Sequence, residues 1–483
     1  MKTDNANSAN PSLSRRQFVG AASLAAATSA TGALAATSGM DSGASKTVEG
    51  GLDYDVLVIG GGFAGVTAAR DLKKSGRSCA ILEARNRLGG RTYYTSHGKH
   101  NVELGGTWIH WMQPFVWSEV MRYGLQVQET PGAAADRIIE IRNGKAYEPE
   151  LDALYGDLFA GGQALMASAK ATWPRPFDHS FSLDAILAAD GDSIDQLLES
   201  ANITDSQRSL YRRLLGTAAS APLQDVSANE ALRIFALCAN NIETYYDVHA
   251  RYKFKDGTCA LIDKMVEDGE PDVKLNTYVK RVEQRDDRVI VTTITGEILS
   301  AAHLVCTAPL NVLQDIDFSP ALHPDMLAAS REGHAGAGFK IYAEIRGEIP
   351  NVQLLGEEGD LIQEAFAYQI GEESSLIACF GSDSDKAANL GKEGLQAALR
   401  RFLPGIDVIG SVSYGWVDDP FDKGTWCKWR PEWYQRYGDG LQEGPKGRVH
   451  FASSDYCEGT RGYIDGAIGS GARAATRIHQ AMG

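Results

Sequence analysis

The chain has 483 residues, of which 43% are hydrophobic and 23% charged, and a formal net charge of −15. This is the balance of a soluble globular protein, and the length is too great for one simple core, so two domains are expected. The acidity excludes nucleic acid as a partner and favours cationic ligands through a long-range field. Seven cysteines with no C-x-x-C spacing exclude a disulfide framework. Cys79 and Cys306 fall in apolar, strand-like runs and read as core residues.

The first forty residues differ in kind from the rest. Ser14-Arg15-Arg16-Gln17-Phe18 precedes a weakly apolar, Ala-rich stretch from Val19 to Ala36, and Ala33-Leu34-Ala35 offers a cleavage site. These features match a twin-arginine export signal over 1–35, with a linker over 36–51 and the periplasm as destination. Ser, Thr and Gly dilute the stretch too far for a good membrane span. Twin-arginine export carries folded proteins, which suits a chain that takes up a cofactor before it leaves the cytoplasm. Cleavage would remove Lys2, Arg15, Arg16 and Asp4, a net +2, and leave a mature charge of −17.

Tyr54-Asp55-Val56-Leu57-Val58-Ile59 is a short apolar run that reads as a buried strand. Gly60, Gly62 and Gly65 follow in G-x-G-x-x-G spacing. They supply a tight turn, a place where backbone meets a pyrophosphate, and a close packing point between helix and strand. Ala64 to Ser75 has helical spacing, so phosphates would sit at its positive N-terminus. Ser78 to Leu82 gives a second strand, with Glu83 at its end to accept from ribose hydroxyls. This is a dinucleotide site that does not separate NAD from FAD. Two more glycine doublets follow, in Leu88-Gly89-Gly90-Arg91 and Gly105-Gly106-Thr107-Trp108.

Beyond Trp108 the texture changes. Leu151 to Lys170 and Ser193 to Leu237 carry apolar residues at helical spacing and predict a helical insert over a cavity. Asp272 to Val279 returns to strand character. Val279 to Thr295, with a turn at Gly296, predicts the strands of a hairpin. His303 to Leu310 predicts another buried strand. Gly338-Phe339-Lys340-Ile341-Tyr342-Ala343-Glu344 alternates, and by itself predicts a half-exposed strand with a solvated Lys340. Half of the eight tryptophans lie between Trp416 and Trp433, a cluster that on composition alone reads as core. The chain closes with Val449 to Asp455, a Gly462 turn, and a helix from Ala467 to Met482.

The order of these blocks resembles the flavin monoamine oxidase superfamily from about Asp53 to the C-terminus. Gly105 to Trp111 and the exported layout look most like its bacterial nicotine and pseudooxynicotine oxidases. The resemblance implies an α/β fold: a discontinuous Rossmann-type FAD-binding domain with an α+β, monoamine-oxidase-like substrate domain. The first would comprise 52–130, 250–325 and 435–483, the second 131–249 and 326–434. FAD would be held by Gly60, Gly62, Ala64, Gly65, Glu83, Ala84 and Arg85. Gly90 and Arg91 would lie at its diphosphate, and Gly106, Thr107 and Trp108 near its ring. The Val279 main chain would meet adenine, Asp455 the ribityl chain and the Ile464 N–H the flavin pyrimidine. Ser453 and Asp455 depart from the Gly and Glu usual in the family.

Trp426 and Tyr463 match the two walls of an aromatic cage, whose ring faces align an amine nitrogen. Lys340 matches the lysine that holds a water at flavin N5. Thr425 replaces the cysteine that links some relatives to the flavin, so FAD would be non-covalent. A hydride would leave the α-carbon of a small amine, giving an imine or iminium that water hydrolyses. O2 or a periplasmic carrier such as cytochrome c would reoxidise the flavin, and a homodimer is open to the chain. Tyr463 stands where a nicotine oxidase has a non-aromatic residue, which favours another amine. An L-amino-acid oxidase and a non-catalytic flavin relay protein remain as alternatives.

Overall fold

The computed structural model describes residues 51–357, 359–443 and 447–483. The export signal and all of the linker except Gly51 lie outside the described residues. The first of two large sheets has the order Asp272–Lys274, Cys79–Leu82, Tyr54–Ile59, Ile298–Cys306, Val289–Thr293, Val279–Gln284, Asp317–Ser319. Val449–Phe451 pairs in addition with Ile298–Cys306. Tyr54–Ile59 lies between two parallel neighbours. A strand covered on both faces is uniformly apolar, and Val56, Leu57 and Val58 are fully buried. Val279–Gln284 and Val289–Thr293 form the antiparallel hairpin.

Two helices cover one face of this sheet. Phe63–Lys74 and Ile464–Met482 share a core of Ala68, Ala69, Leu72, Ile468, Ala475 and Ile478. They approach closely: a Cβ on Gly471 would stand 2.2 Å from the Ala64 carbonyl oxygen. The C-terminal helix starts at Ile464, three residues before the expected Ala467. Its first turn thus lies in the glycine turn, a point of consequence for the site.

The second sheet runs Val408–Ser413, Phe339–Arg346, Ser374–Gly381, Glu364–Gln369, Val352–Leu355, Arg137–Arg142, Lys145–Tyr147. Here one expectation fails. Phe339–Arg346 is an interior strand, and Phe339 to Ala343 are all buried, Lys340 included. Helix Gly391–Arg400 places Leu395 and Leu399 against Ile341, Ala343 and Ile345. Val102 and Leu104 join Tyr342, Phe366 and Tyr368 on the other face. Alternation reports two unlike faces, and both of these are covered.

The helical insert is more finely divided than its periodicity implied. Leu151–Leu165 is followed by Ala169–Thr172, and the second stretch contains Ile194–Ser200, Asp205–Ala219 and Ala228–Leu237. Capping boxes at Ser193/Gln196 and Thr204/Gln207 start two of these helices. That signature is readable in sequence. Both sheets and the insert belong to one compact unit, Thr47–Gly483.

Candidate active site

The strand Tyr54–Ile59 ends at Gly60, whose φ of +95° only glycine adopts easily. Gly62 caps the next helix without a side-chain bond, so first-turn amides such as those of Phe63 and Ala64 remain donors for an anion. A Cβ on Gly62 would meet nothing nearer than Gly90 Cα at 3.7 Å. The two glycine turns therefore pack side by side, joined by Gly89 N donating to Gly61 O at 2.9 Å, and Gly62, Gly89 and Gly90 line one cavity. Gly65 serves differently: its Cβ would stand 2.0 Å from the Gly60 carbonyl oxygen, and it is absent from the cavity wall. It is a helix–strand packing point.

Glu83 accepts from Gly61 N at 2.6 Å through Oε2 and from Arg85 N at 2.8 Å through Oε1. A carboxylate with one bond at each oxygen keeps lone pairs for a ribose. The loop before Val279 docks on the same place, with Thr277 N donating to Glu83 O at 2.8 Å. Glu83, Ala84, Arg85 and Val279 all line one cavity with Gly60, Gly62, Ala64 and Gly90. The Arg85 guanidinium is held by Asp419 at 2.7 Å and Asp422 at 2.5 Å. Those carboxylates raise its pKa against the opposing effect of burial.

Arg91 and Asp455 stand differently towards the cavity. Arg91 lines the cavity, but its charge is balanced by Asp455 at 2.5 Å, and it also donates to Ser454 Oγ and Thr425 O. Asp455 is fully buried behind the wall, and its other oxygen accepts from Leu310 N at 2.9 Å. The short side chain is held from both sides, so it orients Arg91 in place of reaching the cavity. Burial opposes its charge, yet Arg91 and the Leu310 N–H hold its pKa below the usual range.

Ile464 opens the 19-residue terminal helix, and its cap Tyr463 makes no side-chain cap bond. The positive end of that helix therefore faces the cavity, which Ile464 lines. Gly106 packs beside it: a Cβ there would lie 3.7 Å from Ile464 Cγ1. Thr107 and Trp108 continue this wall. Trp108 donates to Thr130 Oγ1 at 2.9 Å and lies edge-on to Phe366.

Trp426 and Tyr463 are half-buried and line the same cavity. The Trp426 indole N–H is fixed to Ala218 O at 3.0 Å. Gly462, at φ +81°, lets the two segments touch, since a Cβ would stand 2.8 Å from Cys427 O. Trp429 and Trp433 are fully buried, so the tryptophan cluster divides into core residues and cavity walls. Thr425 is buried, its hydroxyl 3.0 Å from Ser220 Oγ.

Lys340 Nζ donates to Glu103 O at 2.5 Å, Gly105 O at 2.5 Å and Thr107 Oγ1 at 2.7 Å. An ammonium has three protons, and protein oxygens meet all of them. The resemblance assigned this group a water, which would have to replace one of these bonds. Lys340 thus ties its strand to the Glu103–Thr107 wall. Burial pulls it down to about 7, against the attraction of Glu103.

The cavity is about 350 Å³ and runs continuously past all these groups. Its remaining wall includes the helical insert expected over a cavity, through residues the sequence did not single out. Tyr211, Leu214, Thr217, Tyr245 and Tyr246 come from the helical insert, and Gln353, Glu364, Phe366 and Phe380 from the second sheet. His249 also lines it; burial lowers its pKa to about 4, so it is neutral at pH 7.

The facing glycine turns, two uncapped helix starts and an acid beside a backbone turn fit a dinucleotide. The aromatic walls continue the cavity beyond it. The family described as flavin containing amine oxidoreductase matches residues 63–479. A pseudooxynicotine dehydrogenase of Pseudomonas sp is 37% identical, covering 99% of this chain and 98% of that protein. A nicotine dehydrogenase of Pseudomonas putida (strain DSM 28022 / S16) is 30% identical, covering 98% of each. Cyclohexylamine oxidase from Brevibacterium oxydans IH-35A shares the fold, with a TM-score of 0.75 at 21% identity over 89% of this chain and 99% of that one. The chain belongs to the flavin containing amine oxidoreductases, enzymes that oxidise amines with FAD.

Proposed function

We propose that this enzyme oxidises a small amine held between Trp426 and Tyr463, and that it works in the periplasm. When bound, FAD supplies a hydride acceptor for the amine α-carbon, leaving an imine or iminium for water to hydrolyse. The chain supplies orientation: two ring faces attract and align the nitrogen, while the surrounding apolar wall keeps bulk water away. One observation carries this reading. The dinucleotide cradle and both aromatic walls open on one continuous cavity.

The relatives named for nicotine and pseudooxynicotine favour an amine of that kind, and Tyr463 favours one other than nicotine itself. The L-amino-acid reading needs a guanidinium free for a substrate carboxylate. Among the described residues, each Arg that lines the cavity has a carboxylate partner: Asp419 and Asp422 for Arg85, Asp455 for Arg91, and Asp247 and Glu129 for Arg251. The test is anaerobic flavin bleaching with pseudooxynicotine, nicotine, primary alkylamines and L-amino acids. Bleaching by amines and not by amino acids is expected. Bleaching by amino acids alone would move the substrate class, and bleaching by none would favour a relay protein. Reoxidation with air or with cytochrome c then assigns the electron acceptor.

Because Thr425 cannot form a thioether, acid or heat should release the FAD into the supernatant. Flavin retained on the denatured polypeptide would overturn that reading. For export, Arg15→Lys with Arg16→Lys should strand the enzyme in the cytoplasm, folded and yellow, since the pathway reads the arginine pair. Equal periplasmic amounts of the variant and the natural chain would reject the signal.

A further inference from the structure

Pairing across the second sheet puts Lys340 opposite Phe380, and Phe380 opposite Glu364. Residues directly opposite on neighbouring strands point to the same face. Lys340, Phe380 and Glu364 therefore form one row across the cavity floor, and all three line the cavity. Two strand spacings separate its ends, roughly 10 Å. Phe366 lies two residues beyond Glu364 on the same strand, paired with Gln353, and both line the cavity as well.

Glu364 has an unusual setting for a carboxylate. Gln353 Nε2 donates to its Oε1 at 2.7 Å, while Gln353 Oε1 accepts from the Tyr246 hydroxyl at 2.8 Å. Thr217 Oγ1 lies beside the carboxylate and has no other partner. No Lys, Arg or His among the described residues pairs with Glu364. Glu364 is half-buried, and an acid withdrawn from water normally has a cation or several donors beside it. Here a single amide and one hydroxyl stand in, and the open side is the substrate cavity. Burial accordingly raises the pKa to about 7.

We propose that Glu364, framed by Gln353 and Thr217, is a second recognition point that takes a protonated nitrogen elsewhere in the amine substrate. The inference rests on the amine reading above and refines it. The preferred substrate carries two basic nitrogens: one enters the cage neutral and is oxidised, and the other stays charged and pairs with Glu364. Phe380, between Lys340 and Glu364 in the row and lining the same cavity, offers an apolar surface for the connecting carbons. No covalent step is assigned to Glu364.

The test compares α,ω-diamines of increasing length with the isosteric monoamines, in which a methyl replaces the second amino group. The holoenzyme should reduce its flavin with at least one diamine at a KM about tenfold or more below that of the matching monoamine. Glu364→Gln keeps size and hydrogen-bonding shape, and should erase that preference through KM while the limiting reduction rate changes less. Flavin content and melting temperature should match the natural enzyme. Gln353→Leu, which removes the supporting amide, should weaken the preference in the same direction. A natural enzyme with no diamine preference, or a preference that survives in Glu364→Gln, overturns the subsite and leaves amine oxidation standing. Failure of every amine to bleach the flavin overturns both.

Discussion

Trp426→Ala should slow anaerobic flavin reduction at saturating amine by about 10²-fold, with flavin content nearly unchanged. The size follows from geometry. Orienting a bound reactant makes the reaction effectively intramolecular, and a displacement of about 1 Å can cost on the order of 10² in rate. Trp426 is well placed to impose such orientation: its indole N–H is tied to Ala218 O, and Gly462 packs against its Cβ and the Cys427 backbone that follows. Alanine removes one wall and leaves the nitrogen free to turn. The cradle at Gly60–Gly65 and Glu83 draws on other segments, which is why flavin should stay bound. Tyr463→Phe should be mild, because a wall needs a ring face and not a hydroxyl. Stopped-flow bleaching reads the rate, and the flavin-to-protein absorbance ratio reads occupancy. A Trp426→Ala enzyme that bleaches as fast as the natural one would remove Trp426 from the cage and make it a packing residue beside Trp429.

The cradle was legible in the sequence because its chemistry is main-chain chemistry. Backbone that must turn at positive φ, approach a ligand or pack where no Cβ fits needs glycine, and Gly60, Gly62 and Gly65 mark the places. The parallel strands were legible from apolar runs covered on both faces. Lys340 was misplaced by its local pattern, since alternation cannot show that Val102, Leu104 and helix Gly391–Arg400 cover both sides of its strand. The setting of Asp455 was hidden for a related reason. Its partners, Arg91 and Leu310, lie far away in the chain, and only the fold shows that they hold it behind the cavity wall. Glu364, Gln353 and Tyr246 left no trace at all. Each is an isolated polar residue in an ordinary strand or helix, and they become a group through strand register and the packing of the helical insert.

Gly62→Val should yield a folded protein that has lost its flavin, whereas Gly65→Val should yield little folded protein. Both positions belong to one motif, and the structure separates their functions. Gly62 has φ −78° and ψ −179°, an extended conformation open to any residue. An added Cβ there keeps an ordinary distance of 3.7 Å from Gly90 Cα, so the first side-chain atom fits without displacing the backbone. The valine methyl groups instead add bulk to the cavity wall that the paired glycine turns form, where a diphosphate must approach the backbone. A tenfold fall in occupancy at limiting FAD requires a loss of only about 1.4 kcal/mol of binding free energy, and a blocked backbone approach should exceed that. Gly65 offers no such tolerance, because its Cβ would stand 2.0 Å from the Gly60 carbonyl oxygen and 3.1 Å from Val58 Cγ1. Helix and strand would have to separate in the middle of the first core. The measurements are soluble yield, a cooperative melt and the flavin-to-protein absorbance ratio. The Gly62→Val protein should melt cooperatively, at a lower temperature than the holoenzyme because it lacks the stabilisation that bound ligand provides. A Gly62→Val protein purified with full yellow occupancy would show that the diphosphate does not lie against these turns.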